Sequence, residues 1–443
     1  MRTDAAGGGA AAMPPSDVAE LTRRLVAIDA TNPSLVPGGA GERELAEVIA
    51  AWLAERGFEV RLVGADPTRP SVLARRRGTG RGRTLMLAGH LDTVGGGGSG
   101  ADASGRAPEA DGAAGDPMAD AAGGARSDRV VGRGAYDMAG GLAAAMVAAA
   151  AAPGDLAGDI LLAFAADEEF GSVGMEELLA AIDADASAPD ASASVEHTAA
   201  SDGRAAASGG GAVTPARRAG RPSGAVVLEP TDLEVTVAHR GFAWYRVEYE
   251  GVAAHGSQPE LGVDAVQRAL DGLVALRELG RDLGARSRHP LLGTASARVA
   301  TIEGGTDAAT VADRCVLVVE LRTLPGDPDP GAEVARVLAA SGPSRIVPLV
   351  ARPAMESATD AAIARSVLRA VEEITRAPAV RRGDPWWTDA GLIDEAGIPV
   401  VLVGPEGGGA HADEEWVSVA SLETLTAVIG RVIVDFCGAP AER

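Results

Sequence analysis

The stretch Asp167-Glu168-Glu169-Phe170-Gly171-Ser172 sets three carboxylates side by side. The apolar run 160–165 before it is short enough for a buried strand, so the acidic side chains emerge where that strand ends. Adjacent carboxylates repel one another and do not stay charged together without a compensating charge. A bound cation is such a charge: one carboxylate holds it while its neighbour stays free as a base. Other residues of suitable type recur at comparable places. His90, Glu229 and His411 each lie at or just beyond an apolar run, and Asp137 opens a helix. Two imidazoles with several carboxylates and no thiolate suit zinc or a similar divalent ion. His90 and Asp92 stand two apart and share a face of an extended segment, which lets Asp92 accept the second ring N–H of His90 or of a neighbouring ligand. Singly, these residues have ordinary readings: a satisfied histidine, a helix-start carboxylate at Asp137, a strand-end surface residue at Glu229. Their joint pattern carries the inference.

Positioning them takes apolar strands alternating with helices. Strands are expected at 59–63, 71–76, 84–88, 160–165, 225–228 and 399–403, and helices from an N-cap at Ser16, over 41–56, from an opening segment 132–141 to about 152, and over 360–375 and 419–435. That alternation implies an α/β fold with a mostly parallel sheet, and such sheets bind ligands at the carboxyl ends of their strands. The texture changes at residue 241. Residues 242–249 alternate apolar and polar as a half-exposed antiparallel strand does. Residues 264–279 read as a helix, 296–302 and 314–321 as strands, and Pro325-Gly326-Asp327 as a turn into another helix. We read 241–346 as a small α+β domain inserted into a larger one formed by 16–240 and 347–443. Residues 1–15 are Gly/Ala/Pro-rich and expected to be disordered. The low-complexity stretches 95–128 and 183–223 read as insertions of loop or disorder.

With 443 residues, 46% of them hydrophobic, the chain can bury a sizeable core. A formal net charge of −22 argues against nucleic acid or an anionic membrane as partner. The cluster Arg75, Arg76, Arg77, Arg81 and Arg83 is broken by glycines and reads as an exposed hairpin tip rather than a phosphate site. The sequence has no lysine and a single asparagine, Asn32, a bias that weakens alanine as evidence for helix. Cys315 and Cys437 make neither a disulfide framework nor a thiolate metal site. The N-terminal residues show no basic region leading into a long hydrophobic one, and the longest apolar run, 140–152, is too short to span a membrane. A cytoplasmic protein is expected.

Gly89-His90-Leu91-Asp92-Thr93-Val94, Gly132-Arg133-Gly134-Ala135-Tyr136-Asp137-Met138-Ala139-Gly140-Gly141, the acidic stretch, Glu229-Pro230-Thr231 and Gly409-Ala410-His411 follow one another in this order. The series resembles the M20 metallopeptidase family, which holds acetylornithine deacetylase, succinyl-diaminopimelate desuccinylase, aminoacylase and the glutamate carboxypeptidases. The likeness covers nearly all of the chain outside the N-terminus and the two insertions. It implies a zinc-hydrolase catalytic domain with an inserted lid or dimerisation domain. It implies that Asp137 bridges two divalent metal ions, that His90 and Glu229 complete one site and Glu169 and His411 the other, and that Glu168 is the general base. Zinc is the expected metal, with Co2+ or Mn2+ as alternatives.

The resemblance extends to the inserted region. Ala254-His255-Gly256-Ser257 matches a lid segment whose histidine stabilises the tetrahedral oxyanion, in dimeric relatives at the site of the other subunit. Arg322 matches an arginine that grips a substrate carboxylate; a strand-end salt bridge is its ordinary reading. Gly408, in Gly407-Gly408-Gly409, can offer a backbone N–H beside His411. Departures are Ala309 and Ala312, where relatives often have Asn and Pro, and Ala139, where Lys is common. The first of these puts a substrate or oxyanion contact in doubt. His197, His239 and His289 receive no catalytic role. The expectation is a homodimeric, binuclear amidohydrolase acting on an N-acyl amino acid. A dipeptidase or carboxypeptidase is the near alternative, and a metal-binding protein without catalysis the distant one.

Overall fold

The computed structural model describes residues 17–96, 128–187, 221–286 and 288–438. The disorder expected for 1–15, and most of the two low-complexity stretches with His197, lie outside these residues.

Among the described residues the larger unit is built on a nine-stranded sheet. Its centre is parallel: Ile160–Ala165, Leu85–His90, Gly224–Val227 and Val400–Leu402 lie side by side in that order. Antiparallel strands extend it, Ser71–Arg76 and Glu59–Val63 on one side, Val235–His239 and Met355–Glu356 on the other. The central strands are apolar throughout because both faces are covered. Leu85 and Leu87 enter one core, Met86 and Ala88 the other, following the two-residue alternation of a strand. Helices Val18–Val26, Arg43–Ala54, Gly140–Ala151, Ala362–Thr375 and Val419–Gly438 close the first core; Val173–Ser187 and Ala390–Glu395 close the second.

Helix Gly140–Ala151 is almost entirely Ala and Gly, and short isolated helices are marginal in water. Burial holds it: Gly140 through Ala149 are all buried. Its small residues allow an approach so close that a Cβ on Gly141 would lie 2.3 Å from the Leu228 carbonyl oxygen. That contact fixes the segment after Asp137 against the strand end that carries Glu229.

A separate antiparallel sheet orders Arg345–Arg352, Gly241–Glu250, Arg314–Thr323 and Ser296–Gly304. Helices Ala265–Ala285 and Pro330–Leu338 pack on one face, through Tyr245, Val247, Tyr249, Leu276 and Leu279. The fourth strand runs to Arg352, past the boundary expected at 346. Strand Gly241–Glu250 alternates buried with more exposed residues as expected, but it is interior; the edges are Arg345–Arg352 and Ser296–Gly304.

Three local expectations shift. The first helix is capped by Asp17, whose side chain accepts the Glu20 N–H at 3.0 Å; the expected cap, Ser16, lies outside the described residues. The helix Val173–Ser187 occupies the start of what reads as insertion, because its Met175, Leu178 and Ile182 reach the second core. In the arginine cluster, Arg76 donates to the carbonyls of Ala149 (2.8 Å) and Ala152 (2.7 Å) at the end of helix Gly140–Ala151, while Arg75 and Arg77 pair with Asp159 and Glu59. Among the described residues no helix is long and apolar enough to cross a membrane.

Candidate metal centre

Parallel strands end together. Leu85–His90 finishes on His90, and its neighbours Ile160–Ala165 and Gly224–Val227 lead within a few residues into Glu168, Glu169 and Glu229. Asp137 enters from a kinked turn, Ala135–Ala139, whose backbone leaves the helical region at Asp137 and Met138, ahead of helix Gly140–Ala151. His411 enters from the loop between the short strands Gly407–Gly408 and Trp416–Ser418, in a left-handed conformation (φ 63°).

Asp137 presents one oxygen to each imidazole. His90 Nε2 lies 2.9 Å from Oδ1 and His411 Nε2 3.5 Å from Oδ2. His411 Nε2 is also 3.2 Å from Glu169 Oε1. Donor atoms of His90, Asp137 and Glu229 all lie within 4.8 Å of one another, and so do those of Asp137, Glu169 and His411. The two triads share Asp137.

Without a cation the cluster is crowded with carboxylates. Burial pulls the His90 imidazolium down, but the hydrogen bond and charge of Asp137, with Glu229 and Glu168 behind it, hold it well above the ordinary histidine range. Hydrogen bonds to Asp137 and Glu169 raise His411 to about 10. Glu168 and Glu229 are pushed well above the carboxylate range, first by burial, with His90 opposing and nearby carboxylates such as Asp389 adding to it. Asp137 goes the other way: burial raises it, but the hydrogen bonds from His411 and His90 hold it well below. Buried carboxylates around two imidazoles, with donor atoms at ligand spacing, form a set that a divalent cation fits.

The supporting contacts differ from the sequence expectation. His90 Nδ1 lies 2.8 Å from the backbone carbonyl of Asp92 and 3.7 Å from its carboxylate. A carbonyl only accepts, so Nδ1 carries a proton; Nε2 donates to Asp137 in the metal-free cluster and is the ring atom free to act as a ligand once deprotonated. The Asp92 carboxylate instead accepts the backbone N–H groups of Glu168 (3.0 Å) and Glu169 (3.1 Å) and the side-chain amide of Asn32 (2.8 Å). Asn32 also donates to Asp167 Oδ1 at 3.2 Å, and Arg69 pairs with both Glu42 (2.5 Å) and Asp167 (2.9 Å). Asp167 is left-handed (φ 68°), and its carbonyl accepts the Gly171 N–H at 2.9 Å. It is a structural carboxylate of the acidic turn.

No site role is read from the sequence for Asn32, Glu42, Arg69 or Glu415. Asn32 carries one signal, being the chain's sole asparagine. Asp389 adds another buried carboxyl, pushed by burial to about 7. The remaining expected residues lie apart. His255 is exposed, and among the described residues its ring is bonded within its own loop, to Ser257. Arg322 is engaged by Glu320, at 2.9 Å, and Glu320 also holds Arg298 and Trp244. Gly408 pairs with Trp416 in the small sheet that carries His411's loop. His239 is buried, and burial lowers it to about 4; His289 bonds Glu356 at 3.0 Å.

Comparison with known proteins places this arrangement. Over 391 residues the chain is 28% identical to acetylornithine deacetylase from Myxococcus xanthus, covering 83% of this chain and 84% of that protein. Aminopeptidase PepT from Bacillus cereus superposes with a TM-score of 0.64 at 20% identity, covering 95% of this chain and 99% of that one. The Bacillus subtilis YXEP protein, a dinuclear metal binding peptidase, superposes with a TM-score of 0.59 at 13% identity, covering 95% and 99%. These two likenesses establish the fold. Residues 86–435, from the strand of His90 through His411 into the last helix, match Peptidase family M20/M25/M40, and the chain belongs to that family.

Proposed function

We propose that the chain is a metal-dependent amidohydrolase that cleaves the amide bond of an N-acyl amino acid. The observation that carries this reading is the shared Asp137, one oxygen toward His90 and the other toward His411. Two divalent cations would be held by His90, Asp137 and Glu229 on one side and by Asp137, Glu169 and His411 on the other. Nitrogen and oxygen donors without thiolate suit zinc, with Co2+ and Mn2+ compatible. When bound, the pair supplies Lewis-acid polarisation of the substrate carbonyl and acidifies the attacking water.

Glu168 is the general base in this reading. It adjoins Glu169 but belongs to neither triad. Its carboxylate takes a proton from the attacking water and passes it to the leaving nitrogen, which departs as an amine. Asp92 keeps Glu168 and Glu169 in place through their backbone N–H groups. The Gly408 N–H and Arg322 orient the substrate; its carboxylate competes with Glu320 for Arg322. His255, exposed on its own subunit, serves the oxyanion of a second copy. Helix Ala265–Ala285 and edge strand Ser296–Gly304 expose Leu270, Val274 and Ile302, an apolar face for a homodimer. Two buried thiols fit a reducing cytoplasm.

The acyl amino acid is preferred over a dipeptide because acetylornithine deacetylases are the relatives of 25–28% identity. Turnover by the zinc-loaded chain decides. N-acetyl and N-succinyl amino acids, acetylornithine among them, are expected to be cleaved faster than a panel of dipeptides. The reverse order would move the reading to a dipeptidase. Two zinc ions bound with no amide hydrolysed would overturn the enzyme reading.

A further inference from the structure

We propose that Glu415 is a positioning residue for Asp137, setting the tilt of the carboxylate that both ligand triads share. The proposal rests on Asp137 being a shared metal ligand. Glu415 sits immediately before strand Trp416–Ser418, which pairs with Arg129–Val131 and so brings it beneath the loop that leads to Asp137. It is 2% exposed.

Its carboxylate is filled by four donors. Oε1 accepts the backbone N–H of Tyr136 at 3.0 Å and of Asp137 itself at 2.9 Å. Oε2 accepts the backbone N–H of Gly134 at 3.0 Å and Nη1 of Arg133 at 2.8 Å. Gly134 reaches this bond from a left-handed conformation (φ 77°), and a Cβ there would meet Thr93 Cγ2 at 2.8 Å. A carboxylate is acceptor-only, with about four lone-pair sites, so every one is matched. Arg133 adds a second tie, donating from Nη2 to the Ala412 carbonyl at 2.7 Å. Glu415 thus joins the Asp137 segment to the segment of His411, although Asp137 and Glu415 are 278 residues apart in the chain.

Asp137 must keep Oδ1 toward His90 and Oδ2 toward His411 at once. The side chain is short, so the direction of its carboxylate follows its backbone. Holding the N–H of Asp137 and of the residue before it fixes that backbone. Asp92 does the same for Glu168 and Glu169, so Asp137 and Glu169 each have their backbone N–H held by a buried carboxylate.

The test is zinc titration of the chelator-treated full chain, by calorimetry, with Co2+ absorption as a report of ligand geometry. Glu415→Gln keeps the shape but turns an amide NH2 toward two N–H donors. It is expected to weaken both zinc-binding steps together, at least tenfold, and to change the Co2+ spectrum. Glu229→Ala, by contrast, should remove one step. Glu415→Asp, which keeps the charge but falls one methylene short, should lie between wild type and Glu415→Gln, and it serves alone if Glu415→Gln does not fold. Asp137→Ala separates the two claims. If Asp137→Ala loses zinc while folded Glu415→Gln or Glu415→Asp binds it like wild type with an unchanged Co2+ spectrum, the positioning role is wrong. If Asp137→Ala still binds two zinc ions like wild type, the shared-ligand reading is the one that fails.

Discussion

The Asp92 carboxylate holds Glu168 by the backbone, accepting its N–H at 3.0 Å, and takes the Glu169 N–H at 3.1 Å with its other oxygen. Substitution Asp92→Asn keeps the size but sets an NH2 group against one of these donors. An unsatisfied buried donor costs about 1–3 kcal/mol, enough to displace a turn whose residues must meet a ligand site. We expect kcat to fall by roughly 10²-fold or more, with zinc stoichiometry retained, since the partner of His90 Nδ1 is the Asp92 carbonyl. Steady-state kinetics beside metal analysis checks this. Near-normal kcat in a folded Asp92→Asn protein would remove Asp92 from the machinery.

Glu168 is separable from the ligands by a single substitution. Because it belongs to neither triad, Glu168→Ala should bind zinc as wild type does. Loss of a general base typically costs about 10²–10⁴-fold, and a proton shuttle used twice should lie at the upper end. An active Glu168→Ala protein would refute the assignment; a Glu168→Ala protein that loses zinc would make Glu168 a ligand instead.

The crowding of the metal-free cluster has a direction in pH. His411 rises from 6.5 to about 10 through its hydrogen bonds to Asp137 and Glu169. Burial takes Asp389 from 3.8 to about 7 and Asp92 from 3.8 to about 6. Each raised group binds its proton more tightly in the folded chain. Its stabilisation is complete below the unfolded value and is lost as pH rises through the folded one. Metal-free protein should therefore lose stability from pH 3.8 up to about 7 at the carboxyls and from 6.5 up to about 10 at His411. Asp137, held low, acts below that window. Tm of chelator-treated protein should fall on going from about pH 6 to about pH 9, and zinc should reduce the fall because the cation replaces the protons. Calorimetry in buffers of different ionisation enthalpy should show proton release on zinc binding. A metal-free Tm that rises over this range would contradict the picture.

The proposed ligands were open to a reading of the sequence because each follows an apolar run or opens a helix, and the structure gathers them into the two candidate triads. His90, Glu169 and Glu229 need only the rule that parallel strands end together. The residues that hold them were not legible, since their partners lie far off in the chain. Asn32 meets Asp92 and Asp167 from a segment that the sequence marks only by its single asparagine, and Glu415 sits in a run of three acidic residues, Asp413-Glu414-Glu415, with nothing local to single it out. Strand Arg345–Arg352 escaped because Pro348 and its partly exposed residues blur the alternation. Helix Val173–Ser187 escaped because its later residues share the alanine and aspartate composition of the insertion beyond.

The role of His255 can be settled by complementation. The ring is exposed and bonded to Ser257 in its own loop, and the proposal gives it to the cluster of a second copy. Glu168→Ala and His255→Ala chains should each be nearly inactive. Mixed and allowed to exchange subunits, they form heterodimers with one site carrying both lesions and one carrying neither. Random pairing makes about half the dimers mixed, and half of their sites intact, so activity should recover to about a quarter of wild type. If His255 acts on its own subunit's cluster, every site keeps one lesion and mixing restores nothing. Charged substitutions at Leu270 and Val274, on the exposed face of helix Ala265–Ala285, should abolish the recovery by preventing pairing. Recovery that persists in such monomeric chains would mean that the intact sites are not made by pairing through this face.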